Sequence, residues 1–333
     1  MIDRMGRKKC YTIGSLLMAI LPVCYLTFDG PLASFYIPLL LIRILHGIGL
    51  AISFTAAFTY AADIIPKERL NEGLGAFGIS GLTGMAVGPI FAELVIRSFG
   101  FNAFFLTAAG EAALGFLIHL PLPESYVRAR GGEGEPVSFF AVLRKGRIIT
   151  VALVSFLFGF GLAGAGSFVA PFASQQQLSF ISIYFISYSS AAILARLFGG
   201  RFADRAGERR IIPFALTATG GGILMLLFLN GNTVLALSGF MTGFGHGFLY
   251  PSLSALAIRE EPATSRGKVT GVFTGSVDAG IFVGSVVLGY IGEYGGFRML
   301  FLIAGLALLA GLIVFKARST TGRQPLHGFY RRR

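Results

Sequence analysis

Five ionisable side chains stand inside long apolar runs: Arg43, Glu93, Glu111, Arg196 and Asp278. A charge at membrane depth is costly enough to need a counter-charge, a wet cavity or neutralisation. Arg43, near the outer third of its run, is the first candidate for a binding or coupling site. Glu111 and Asp278 fall near the middle of theirs and read either as carboxylates that take up a proton or as neutral, hydrogen-bonded packing residues. Glu93 and Arg196 fall nearer the ends, where a polar head reaches the interface. His46 and His246 are proton carriers or structural histidines. No metal-ligand cluster and no nucleophile–base pair is visible, so neither an enzyme nor a cofactor is expected. Phe156 and Phe160, with Phe244 and Tyr250, offer an aromatic wall suited to hydrophobic solutes; equally, most of the 33 phenylalanines must simply face lipid.

The elements that would position these groups follow from composition. Only 13% of the 333 residues are charged and 54% are hydrophobic, where a soluble domain carries about a quarter charged residues. Ten runs are long enough to span a bilayer at about 20 residues each: Cys10–Phe28, Leu32–Ala62, Gly73–Arg97, Phe101–Leu122, Arg147–Ser174, Leu178–Gly199, Ile211–Leu229, Thr233–Ile258, Lys268–Ile291 and Phe297–Lys316. The net charge of +12 sits in short clusters between these runs, which excludes a nucleic-acid surface. One alternate set of loops and termini holds 24 of the 28 basic residues, and the other set holds only Arg97 and Arg298. The positive-inside rule then places both termini in the cytoplasm. Cys10 and Cys24 are about 21 Å apart along one helix, beyond disulfide reach. The basic N-terminus resembles a signal peptide, but its apolar run is too long and no cleavage site follows.

An internal repeat organises the runs. Asp3-Arg4-Met5-Gly6-Arg7 recurs as Asp204-Arg205-Ala206-Gly207-Glu208, and Arg209 follows. At an offset of 196, Gly75, Gly84 and Gly88 match Gly271, Gly280 and Gly284, and Gly100-Phe101 matches Gly296-Phe297. Both copies share one orientation, the arrangement of parallel-repeat transporters. The expected organisation is a remainder of a first bundle (1–122, four helices), a cytoplasmic linker (123–146), a complete second bundle (147–316, six helices) and a basic tail (317–333). On this reading two helices are missing before Met1.

Over its whole length the chain resembles the major facilitator superfamily. Gly200 through Asp204, Arg205, Gly207 and Arg209 is similar to the family's loop signature, with Glu208 where a base is usual. Leu39, Arg43, His46, Gly47 and Gly49 resemble its arginine motif, with His46 where glutamine is common. Gly75, Gly84, Gly88 and Pro89 resemble the motif of proton-coupled exporters, with Ala92-Glu93 in place of a terminal glycine pair. The resemblance implies an all-α polytopic membrane protein of two parallel bundles, with four and six helices present of six and six. It implies gating by docking of Asp3 on the helix near Lys268, and of Asp204 on the helix near Gly73. It gives Arg43 a role in substrate binding or proton coupling, and the glycines and Pro89 a role as a hinge. It puts the four aromatics on cavity-lining helices. The expected function is secondary, proton-coupled efflux of a small drug or metabolite across a prokaryotic plasma membrane by a monomer. An ion-coupled uptake symporter and a transport-inactive fragment are the alternatives.

Overall fold

The computed structural model describes residues 2–28, 35–126, 138–178 and 180–321. Parts of the expected linker and tail fall outside these residues, as do the side chains of Arg4, Pro89 and Glu93. Among the described residues the chain is helical with no strand. The elements are α1 (Ile2–Met5), α2 (Arg7–Cys24), α3 (Tyr36–Ile64), α4 (Leu70–His119), α5 (Phe139–Leu143), α6 (Gly146–Gln175), α7 (Ile183–Ala206), α8 (Glu208–Met225), α9 (Asn232–Ile258) and α10 (Ala263–Thr321).

In a bilayer the backbone must satisfy its own hydrogen bonds, and a helix does so within one segment. Seven helical stretches among the described residues are long and apolar enough to cross one: Arg7–Thr27, Tyr36–Ile64, Leu94–His119, Gly146–Gln175, Ile183–Ala206, Glu208–Phe228 and Ala263–Ser319. That is fewer than the ten runs read from sequence. The last stretch counts as one although Gly296 (φ 77°) breaks it into two arms. Gly100 (φ 83°) likewise breaks α4. Helix α9 is absent from the seven because it carries Gly, Ser, Thr and His, most of them buried against neighbouring helices. The helix expected over Leu178–Gly199 instead runs from Ile183 to Ala206, a shift of more than one turn.

Paired glycines turn the chain at equivalent places. Gly6 (φ 99°) links α1 to α2 and Gly207 (φ 80°) links α7 to α8, in a left-handed region that is cheap only for glycine. The gating motif is therefore not a loop. Asp3 and Asp204 lie on helices, each ahead of a one-residue turn.

The halves are packed unequally. Most of the buried apolar cluster comes from α6 to α10, whereas α3 shows Leu40, Leu41, Ile44, Leu45 and Ile48 at its surface. The first half (α1–α4) meets the second through α1 and α3 on α10, and through α4 on α7 and α9.

Candidate functional site

The two halves are held together at the end that carries the basic turns. Asp3 accepts hydrogen bonds from the backbone N–H of Gly267 and of Lys268, both at 2.9 Å, near the start of α10. Asp204 accepts from Asn71 N at 3.1 Å and Glu72 N at 3.0 Å, in the first turn of α4. The first-turn N–H groups of Asn71 and Glu72 have no partner within α4 and carry partial positive charge, whereas Gly267 and Lys268 are the fifth and sixth residues of α10. Each motif carboxylate thus docks on backbone N–H groups near a helix start of the opposite half. Gly200, one turn before Asp204, allows the approach: a Cβ there would sit 2.7 Å from Glu72 Cα.

A second layer of charge surrounds each dock. Arg7, fully buried, pairs with Asp63 at 2.8 Å and Asp3 at 3.2 Å and donates to Ala263 O at 2.5 Å. Arg266 reaches across from the second half to the same Asp63, at 2.9 Å. In the other copy Glu208 occupies the place of Arg7, and Arg259 occupies the place of Asp63. Arg259 pairs with Glu208 at 2.5 Å and Asp204 at 3.2 Å. The base missing from the second motif is therefore half of a reversed pair: Arg7 with Asp63 in one copy, Glu208 with Arg259 in the other. Sequence reading overlooked Asp63, Arg259 and Arg266, although the offset of 196 links Asp63 to Arg259. Arg205 and Arg209 remain exposed.

Two carboxylates at this end are held in their charged form. The hydrogen bond from Arg69, and then that from Arg201, keep the Glu72 carboxyl down at about 2. Burial alone would raise Glu261, but hydrogen bonds from Lys145 (2.7 Å) and Ser265 (2.9 Å) outweigh it and set the net direction downward.

The ionisable groups expected inside the apolar runs are not assembled into one site. Arg43 and His46 line an apolar cavity of about 460 Å³ with Tyr25, Leu39 and Phe105; Arg43 is exposed, and His46 Nδ1 lies 3.4 Å from the Tyr25 hydroxyl. Glu111 is also exposed and lines a neighbouring cavity of about 440 Å³ with Gly84, Gly88 and Thr107. Asp278 stands exposed on α10. Arg43 and Glu111 are exposed because α3 and the second arm of α4 pack along one side only.

Gly84 and Gly88 face open space, whereas their counterparts Gly280 and Gly284 seat against the backbone of Phe156 and Phe160 on α6. Gly75 faces Arg196. Phe156 and Phe160 are half-buried, and Phe244 stacks on Phe240 and meets Phe214 and Phe248 edge-on. Tyr250 stands between the halves, against Phe58 of α3 and Phe273 of α10.

Arg196 is the larger correction. It is 5% exposed and lies across Gly75 and Gly78 of α4 beside the Tyr250 ring. His246, also buried, shares a hydrogen bond with the Tyr188 hydroxyl through Nδ1. Among the described residues no group of three His, Cys, Asp or Glu is placed to hold a metal ion.

Comparison with known proteins supplies the family. The family model described as Major Facilitator Superfamily matches residues 1–189 and 151–328. An uncharacterized MFS-type transporter, YhhS, of Escherichia coli K12 is 22% identical over 98% of this chain and 79% of its own length. Another from Methanocaldococcus jannaschii, MJ1560, is 24% identical over 94% of this chain and 82% of its own. Among solved structures the human organic anion transporter MFSD10 superposes with a TM-score of 0.80 at 19% identity, over 94% of this chain and 78% of that one. The E. coli fucose:proton symporter FucP does so with 0.76 at 14% identity, over 95% and 85%. At such identities the solved structures establish the fold.

Proposed function

Because the chain belongs to the major facilitator superfamily, and so is a multi-pass membrane protein of a transporter family, we propose that it is a secondary active transporter working by alternating access. It exports a small organic molecule in exchange for protons, with both termini in the cytoplasm. The observation that carries this reading is the matched pair of aspartates, each docked on the opposite half. Two reversible docks at one end suit a molecule that opens and closes there. In this state the docked end is shut, and by the positive-inside rule its basic turns make it the cytoplasmic side. Glu111 and Asp278 are the proposed proton carriers, Arg43 and His46 the proposed solute contacts on the first half, and Gly75, Gly84, Gly88 and Pro89 the hinge.

Proteoliposomes holding an internal pH dye test the proposal. Addition of a transported solute outside should drive protons out in exchange, and Asp204→Asn should slow that flux by on the order of tenfold. Proton entry together with the solute would overturn export and favour the uptake symporter. An absence of solute-linked flux across a broad panel would favour the inactive fragment.

A further inference from the structure

Two arginines are buried among the described residues, and they differ in one respect. Arg7 is surrounded by Asp3, Asp63 and a backbone carbonyl. Among the described residues Arg196 forms no ion pair, and its Nε has no hydrogen-bond partner. Among the described residues even the partly buried Arg147, Arg259 and Arg266 each touch a carboxylate. A guanidinium stays charged at any physiological pH, so an unpaired one at membrane depth is a site waiting for an anion.

The surroundings are shaped to admit one. Gly78 leaves the guanidinium its space: a Cβ at that position would strike Arg196 Nη1 and stand 3.2 Å from Cζ. The head lies over Tyr250, 5.9 Å from the ring centroid, and Tyr250 packs on Phe58 at 5.7 Å and Phe273 at 4.9 Å. Gly78 and Phe58 belong to the first half, and Arg196, Tyr250 and Phe273 to the second. The cluster is therefore covered while Asp3 and Asp204 are docked, and uncovered when the halves part.

We propose that Arg196 is an anion-binding residue at the seam between the halves and that the solute is an organic carboxylate with an apolar or aromatic body. The fork of Arg196 takes the carboxylate in two parallel hydrogen bonds, and the rings of Tyr250, Phe58 and Phe273 take the body. This rests on the transporter reading and narrows its substrate class.

The test uses the full chain in phosphatidylcholine nanodiscs, which offer no anionic headgroup to compete. Thermal unfolding is followed with benzoate, 3-phenylpropanoate and hexanoate, and with benzamide as the uncharged counterpart of benzoate. At least one carboxylate should raise the melting temperature saturably while benzamide does not. Arg196→Gln should weaken that response on the order of tenfold or more, Arg196→Lys should weaken it less, and Arg298→Gln, at an exposed turn, should leave it unchanged. Equal responses to benzoate and benzamide, or none to any carboxylate, would overturn the proposal even if Arg196→Gln fails to fold. So would an undiminished response in Arg196→Gln. A chain that exchanges an uncharged solute but ignores carboxylates keeps the transporter reading and loses the anion site. One that binds benzoate through Arg196 yet moves nothing does the reverse.

Discussion

At the scale of single residues the most informative feature is the reversed pair. Arg7 with Asp63 and Glu208 with Arg259 occupy equivalent positions with opposite sign, so what matters is attraction between those places. Arg7→Glu should be the more damaging change, at about 3–5 kcal/mol, because Arg7 is fully buried. Glu208→Arg should cost about 1–2 kcal/mol, since Arg259 is partly solvated. Adding Arg259→Asp to Glu208→Arg, or Asp63→Arg to Arg7→Glu, should recover most of the lost thermal stability. Double variants no better than the single ones, measured by unfolding midpoint in detergent, would show that the pairs do not act as units. The aspartates and their glycine were legible in the sequence because their spacing repeats. The reversed pair was not, because its second members lie on helix ends with no local pattern. Arg196 was misjudged for a definable reason. Apolarity alone ended its helix at Gly199, whereas the helix continues to Ala206, which places Arg196 well inside.

At the scale of elements the closed end is a meeting of helix starts. Helix α4 begins under Asp204 with Glu72 clamped by Arg69 and Arg201, and α10 begins beside Glu261 clamped by Lys145 and Arg147. Both carboxyls are held below their ordinary value of 4.5. The unfolded chain therefore binds more protons than the folded one as pH falls below about 4.5. Their contribution is complete above that pH and disappears on acidification, for Glu72 as pH approaches about 2. Glu261, with its side chain 2% exposed, should dominate. Glu261→Gln should lower the melting temperature near neutral pH and flatten its acid decline, and an acid limb as steep as in the parent would contradict this assignment. Element positions were readable from apolar runs and from the glycines at 100 and 296. Element ends were not, because polar residues such as Arg201 and Asp204 continue a helix once a neighbouring half satisfies them.

For the whole molecule the central claim is that the docked aspartates hold two halves shut at one end, and that function requires them to release. The parallel repeat was visible in the sequence. The unequal packing of the halves was not, since the apolar content of α3 says nothing of what lies against it. Spin labels at positions 64 and 202, exposed on opposite halves near the docked end, measure this directly by double electron–electron resonance after Cys10 and Cys24 are replaced. The account predicts one short distance in the parent, and a second, longer population when Asp3→Asn and Asp204→Asn are combined. An identical distribution in parent and double variant would contradict it.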